Sequence, residues 1–189
     1  MDTKTFLDST LGNEGFYCLF ANNLSTGHRP QSFYRSTGQL IDAAKELDAK
    51  GYDAYFALCT FEDSKSRKAK NAKQIKAFFL DIDCGEGKDY GTQAEAVQAL
   101  AKFCKTVGLP RPLLVNSGRG VHVYWRLTET VCPDDWKPVA TRLKKLCKEH
   151  DFKCDNAVTS DCARVLRIPF THNHKTTPPS EVGYFGVVP

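Results

Sequence analysis

Ile75-Lys76-Ala77-Phe78-Phe79-Leu80-Asp81-Ile82-Asp83 reads as a buried strand that ends in two carboxylates. Aromatic and β-branched residues bounded by polar ones are the signature of such a strand. Alternate residues of a strand share a face, so Asp81 and Asp83 stand side by side, ~7 Å apart at the backbone, and can reach one cation. Two like charges at the end of a buried strand repel and lose hydration, so the pair asks for a metal, lysine or arginine to neutralise it. An all-oxygen ligand set suits Mg2+ or Mn2+. Taken alone, the same D-x-D also fits a strand that ends in water with both acids solvated.

Working outward, residues 53–61 form a second run of strand character, and the basic loop from Ser64 to Lys76 separates the two. Ser36 with Gln39 and Thr92 with Glu95 have the capping-box spacing, and each precedes an apolar period of three to four. The first helix carries Leu40, Ala43, Ala44 and Leu47 before Gly51; the second carries Val97, Leu100, Cys104 and Val107 before Gly108 and Pro110. A third runs from about Asp134 to His150, with Trp136, Val139, Leu143, Leu146 and Cys147 on one face. Between the last two helices, residues 112–115 and 121–126 are strands joined through Asn116-Ser117-Gly118-Arg119-Gly120 as a hairpin. A last strand falls near Val165 or over 182–188. The predicted class is α+β: an RRM-like β-α-β-β-α-β unit over 63–189 behind a small helix and strand module over 1–62.

With 189 residues the chain is expected to form one domain. Hydrophobic residues at 41% and charged residues at 25% exclude disordered, collagenous and coiled-coil classes. Twenty-six Lys and Arg against 22 Asp and Glu leave a formal charge of +4, which suits a polyanionic partner. The eight cysteines contain no C-x-x-C pair and the N-terminus opens no signal peptide, so they are expected to be reduced thiols of a soluble, cytoplasmic protein. No apolar run approaches the ~20 residues that span a bilayer.

Two further segments carry chemistry. In Ser117-Gly118-Arg119-Gly120-Val121-His122, glycines let the backbone approach a ligand, and a hydroxyl and successive N–H groups can cradle phosphate, with Arg119 and His122 beside them. An ordinary hairpin with a histidine packed in the sheet has the same pattern. Neither G-x-G-x-x-G nor G-x-x-x-x-G-K-[ST] occurs. From Cys154-Asp155 to Arg164-Val165-Leu166-Arg167, followed by Asn173 and Lys175, a carboxylate precedes two arginines and a lysine. That set can place one more metal ligand beside cations for a triphosphate; salt-bridged surface arginines and a cap at Asp161 are the plainer reading.

The ordered set, D-x-D on a strand, S-G-x-G-x-H on a following hairpin, then D-x-x-V with R-x-x-R and a trailing lysine, resembles the archaeo-eukaryotic primase superfamily in its viral and plasmid primase-polymerase branch. The resemblance covers about residues 50–175, and the first two motifs are also similar to the polymerase domain of bacterial end-joining ligases. It implies a template-dependent nucleotidyltransferase, a DNA primase or polymerase, with two divalent ions and no zinc. Asp81, Asp83 and Asp155 match its catalytic metal ligands, with Asp161 as a substitute for Asp155. Ser117, Gly118, Arg119, His122, Arg164, Arg167 and Lys175 match its nucleotide-binding positions. Where many relatives carry a glycine after the third motif's proline, this chain has Phe170, so a different turn is expected there.

The partners so implied are a single-stranded DNA template, a primer strand, nucleoside triphosphates, and a helicase or accessory domain outside this chain. Lys65, Arg67, Lys68, Lys70 and Lys73 crowd the loop before the carboxylate strand and are candidate template contacts, although such a run also fits a solvated face. A non-catalytic RRM-like binding module is the rival from another class. His172-Asn173-His174 raises a rolling-circle endonuclease, but the middle residue is not apolar. A zinc site from Cys154, Cys162, His172 and His174 has no known spacing.

Overall fold

A computed structural model describes residues 1–185. The elements in chain order are α1 (Thr3–Thr10), β1 (Tyr17–Asn22), β2 (Gln31–Tyr34), α2 (Thr37–Ala49), β3 (Asp53–Ala57), β4 (Cys59–Phe61) and, after a 3-10 turn over Ala69–Asn71, β5 (Ala72–Asp83). Then come α3 (Gln93–Val107), β6 (Leu113–Asn116), β7 (Gly120–Val131), α4 (Pro133–Glu149), β8 (Val165–Arg167), β9 (His172–Asn173), β10 (Ser180–Glu181) and β11 (Gly183–Tyr184). The part of the expected last strand beyond residue 185 lies outside the described residues. No described helix is long and apolar enough to cross a membrane.

Both N-caps form, and the reciprocal bond of each reaches one residue before the cap, Gln39 Oε1 accepting from the Arg35 N–H. The Ser36 hydroxyl accepts from the Gln39 N–H, and the Thr92 hydroxyl accepts from the Glu95 N–H while the Glu95 carboxylate accepts from Gly91. The third helix begins at Cys132, whose thiol caps Asp135, and its buried stripe is Trp136, Ala140, Leu143 and Cys147. Val139, expected on that stripe, is 53% exposed.

Two antiparallel sheets carry the fold, in the orders β11-β6-β7-β5-β4 and β2-β1-β3-β8, with β9 and β10 as a separate pair. The run 53–61 is therefore two strands: the chain breaks at Leu58 and the halves join different sheets. In the RRM-like unit, the place beside β5 expected for a last strand is held by β4, while the strand after α4, β8, pairs with β3 in the other sheet.

One face of the five-stranded sheet presents Leu80, Ile82, Val121 and Val123 to Leu100, Phe103, Leu143 and Cys147 of α3 and α4. The opposite face places Phe79 and Tyr124 with Phe6 of α1, Leu40 of α2, and Leu19 and Phe56 of the second sheet. Burial of this apolar surface between the layers is the main stabilising term. Asp81 and His122 follow Phe79 and Tyr124 on that same face, as the strand period of two requires.

Candidate active site

β5 delivers Asp81 and Asp83 to the point where the core between the sheets opens into a cleft of about 280 Å3. β7 runs beside it in register, Asp81 opposite His122 and Asp83 opposite Gly120. Only glycine fits at 120, because an added Cβ would lie 2.2 Å from the Ile82 carbonyl oxygen. On its other edge β5 is covered by β4 only as far as Ile75. Beyond it the Ala77 carbonyl accepts from Trp136 Nε1 (3.0 Å) and the Asp81 carbonyl from the Asp155 N–H (2.8 Å). That backbone bond brings the third carboxylate beside the first.

The three acids are held differently. Asp83 pairs with Lys88 at 2.8 Å, and Asp155 lies 3.6 Å from Arg164 while accepting from the Ala157 N–H. Asp81, whose side chain is 25% exposed, has one ion-pair partner among the described residues, His122 Nε2 at 3.8 Å. Burial, then repulsion from Asp83 and Asp155, pushes its carboxyl up to about 7. Burial, then the nearby Arg167, lowers His122 to about 3, so this imidazole is neutral and brings a hydrogen bond without a charge. Its Nδ1 is buried with no partner among the described residues. Among those residues no three His, Cys, Asp or Glu side chains are already gathered to grip a metal. The donor set nevertheless fits a hard divalent cation: all oxygen, with Asp81 set against two like charges and, among the described residues, no lysine or arginine in ion-pair contact with it.

The 116–120 loop forms the opposite wall. Gly118 takes φ +88° and packs so closely that an added Cβ would meet Asn173 Cβ at 2.8 Å. Asn173 Nδ2 donates to the Ser117 carbonyl (2.8 Å), and Asn116 Oδ1 accepts from the Gly118 N–H and from Gln93 Nε2, both at 2.7 Å. The Ser117 N–H donates to Gly120. Two of the N–H groups expected to cradle phosphate are therefore committed within the loop. The Ser117 hydroxyl and the Arg119 side chain remain.

Around the cleft stand Tyr55, Asp81, Asp83, Lys88, Ser117, Arg119, His122, Arg167, Asn173 and Lys175; Gly118, Asp155 and Arg164 lie next to its wall rather than on it. Arg167 is buried and bound by Asp53 at 2.7 and 3.1 Å, with its guanidinium 4.7 Å from the Tyr55 ring centre. Arg119 and Lys175 are exposed. Phe170 takes φ +66°, the left-handed conformation that glycine adopts freely, and its N–H donates to Val182, so the turn towards Lys175 is made despite the side chain. Lys88, Tyr55, Asn173, Asn116 and Gln93 were not among the predicted site residues. Only Asn173, set between two histidines, carried a local signal.

Other predicted residues lie elsewhere. Arg67 donates to the Ala163 carbonyl and to Gln31, and Lys73 pairs with Glu14 and Glu62, whereas Lys65, Lys68 and Lys70 are exposed. The Asp161 carboxylate accepts from the Ala163 N–H. His172 and His174 both bond Asp48 of α2, at 2.8 and 3.0 Å. Among the described residues Cys154, Cys162, His172 and His174 form no group of three that could hold a metal ion.

No protein-family profile and no curated protein matches the sequence. Solved structures do. The chain is similar to the AEP domain of the cyanophage S-2L primase-polymerase, with TM-score 0.65 and 16% identity over 92% of this chain and 82% of that one. It is similar to the catalytic domain of primase RepB' in complex with initiator DNA, with TM-score 0.62 and 15% identity over 97% and 81%; it spans 54% of a longer primase RepB' chain. A third likeness is to the polymerase domain of Mycobacterium tuberculosis ligase D in complex with DNA, with TM-score 0.56 and 17% identity over 92% and 74%. Over nearly its whole length the chain thus has the fold of the archaeo-eukaryotic primase-polymerase domain.

Proposed function

We propose that the chain is a template-dependent nucleotidyltransferase of DNA replication, acting as primase, polymerase or both. The observation that carries this reading is the pair Asp81 and Asp83 at one strand end, with Asp155 tied beside them by its backbone N–H to the Asp81 carbonyl, across a cleft from Ser117, Arg119 and Lys175 in a primase-polymerase fold. The reaction joins a nucleotide to a 3′-OH through its α-phosphorus and releases pyrophosphate. Asp81, Asp83 and Asp155 would hold Mg2+ or Mn2+, whose charge eases deprotonation of the hydroxyl and offsets that of the leaving pyrophosphate.

The protein's own part is binding and orientation. Arg119, Lys88 and Lys175 reach the triphosphate, the Ser117 hydroxyl and the neutral His122 donate hydrogen bonds, and Arg167, fixed by Asp53, adds positive field. Lys65, Lys68 and Lys70 offer phosphate contacts to a single-stranded DNA template carrying a primer, and a helicase or accessory domain is the expected companion. The test is incorporation of labelled nucleotides on single-stranded and primed DNA with Mg2+ or Mn2+, comparing wild type with Asp81→Ala/Asp83→Ala. Metal-dependent product that drops by about a thousandfold in the double variant is expected. Absence of product from both proteins, with equal strand binding, would leave a binding module instead.

A further inference from the structure

Asp48 stands on the last turn of α2, which stops at Gly51: that residue takes φ +78° and its N–H donates to the Asp48 carbonyl, while the Tyr52 N–H donates to Leu47. The Asp48 side chain is given to β9. Its Oδ1 accepts from the His172 N–H (2.8 Å) and from His174 Nε2 (3.0 Å), and its Oδ2 accepts from His172 Nδ1 (2.8 Å). An ionised carboxylate only accepts, so these bonds fix the tautomer and orientation of both rings. β9 needs such a hold, because it is two residues long, pairs with β10 alone and belongs to neither large sheet. Asp48 and Asp53, which accepts from the His174 N–H (2.7 Å), grip it on either side of Asn173. Asn173 is buried, and its amide is shared between two parts of the cleft. Its Nδ2 donates to the Ser117 carbonyl (2.8 Å) and its Oδ1 accepts from the Lys175 N–H (3.1 Å).

We propose that Asp48 is a positioning residue for the incoming nucleotide. Asp48 is not on the cleft wall; it lines a separate surface hollow with Lys45, His172, His174 and Pro179. It acts through the two histidines, which hold Asn173, and the Asn173 amide sets the spacing between the Ser117-Gly118 loop and Lys175. Gly118 leaves that spacing no slack, since an added Cβ there would lie 2.8 Å from Asn173 Cβ. The Ser117 hydroxyl and the Lys175 ammonium have to meet oxygens of one triphosphate, whose own spacing is fixed by its bonds. Release of β9 from Asp48 lets the two drift relative to each other and weakens the hold on the nucleotide in ground state and transition state alike.

The hold on β9 stands on hydrogen bonds alone; its effect on the nucleotide rests on the nucleotidyl-transfer reading. Amide exchange of the full chain is compared between wild type and Asp48→Ala, beside affinity for dATP and ATP in Mg2+ and the steady-state kinetics of incorporation. Expected are faster exchange at His174 and Lys175, unchanged exchange along β5 and β7, and a nucleotide KM raised by about tenfold with kcat little altered. Asp48→Asn keeps an acceptor for the His172 N–H and for His174, leaves His172 free to take its other tautomer, and should recover most of the affinity. Because Asn173 is the relay, Asp48→Ala/Asn173→Ala should bind nucleotide no worse than Asn173→Ala alone. His172→Phe, which removes one ring bond and leaves α2 intact, repeats the comparison should Asp48→Ala fold poorly. Additive losses in the double variant, an Asp48→Asn as weak as Asp48→Ala, or faster exchange with unaltered nucleotide affinity would each overturn the proposal. Should the wild type neither bind nor incorporate nucleotide, the functional reading fails, while exchange at His174 and Lys175 still decides whether Asp48 holds the segment.

Discussion

Asp81 keeps, in the absence of a divalent cation, a proton that the unfolded chain gives up near the ordinary carboxylate value of 3.8, because burial and its acidic neighbours push it up to about 7. Between about pH 4 and pH 7 the native state therefore binds more protons than the unfolded state, and stability falls as pH rises through that window, by on the order of 4 kcal/mol, levelling off above it. Urea unfolding in EDTA at pH 5 and pH 8 should show wild type losing more stability over that interval than Asp81→Asn, with Mg2+ restoring part of the loss at pH 8. Equal losses in the two proteins would remove Asp81 as the source. This residue was legible because a carboxylate in an otherwise apolar strand is a local anomaly. Asn173 and Gln93 were not, since their work is done on partners 56 and 23 residues away and nothing beside them in sequence marks it.

At the scale of elements, two glycines separate conformation from contact. Gly108 closes α3 at φ +72° with open space around an added Cβ, so Gly108→Ala should cost only backbone strain, about 1 kcal/mol, a thermal shift of roughly 2–4 °C. Gly120→Ala drives a methyl into the Ile82 carbonyl and should part β5 from β7, lowering the melting temperature several times further and abolishing incorporation that Gly108→Ala retains. Thermal melts of the two variants beside wild type check both. Helix starts were legible from Ser36 and Thr92 because capping acts within four residues. The break at Leu58 was not: both halves of 53–61 have strand composition, and what parts them is the choice of sheet, a contact absent from local periodicity.

For the whole molecule the decisive tie is Asp53–Arg167, which joins β3 to β8 across 114 residues. Asp53 also accepts from the His174 N–H, and it is wholly buried. Asp53→Ala leaves a guanidinium buried without its anion and should cost about 3–5 kcal/mol, read as a lower urea midpoint, while an apolar replacement of both partners should recover most of it. The α+β class and the order of motifs from Asp81 to Lys175 were legible, whereas α1, β1 and β2 at the front of the chain were not. The interlacing of the sheets was not, because pattern tells which face of a strand is buried but never which strand lies alongside. That interlacing bears on synthesis. The edge of β3 is complete by Ala57 but has no neighbour until Val165 leaves the ribosome, about 100 residues later. At roughly 5–20 residues per second the nascent chain carries an unpaired edge for on the order of ten seconds, an interval in which a chaperone has something to hold and another nascent copy something to pair with.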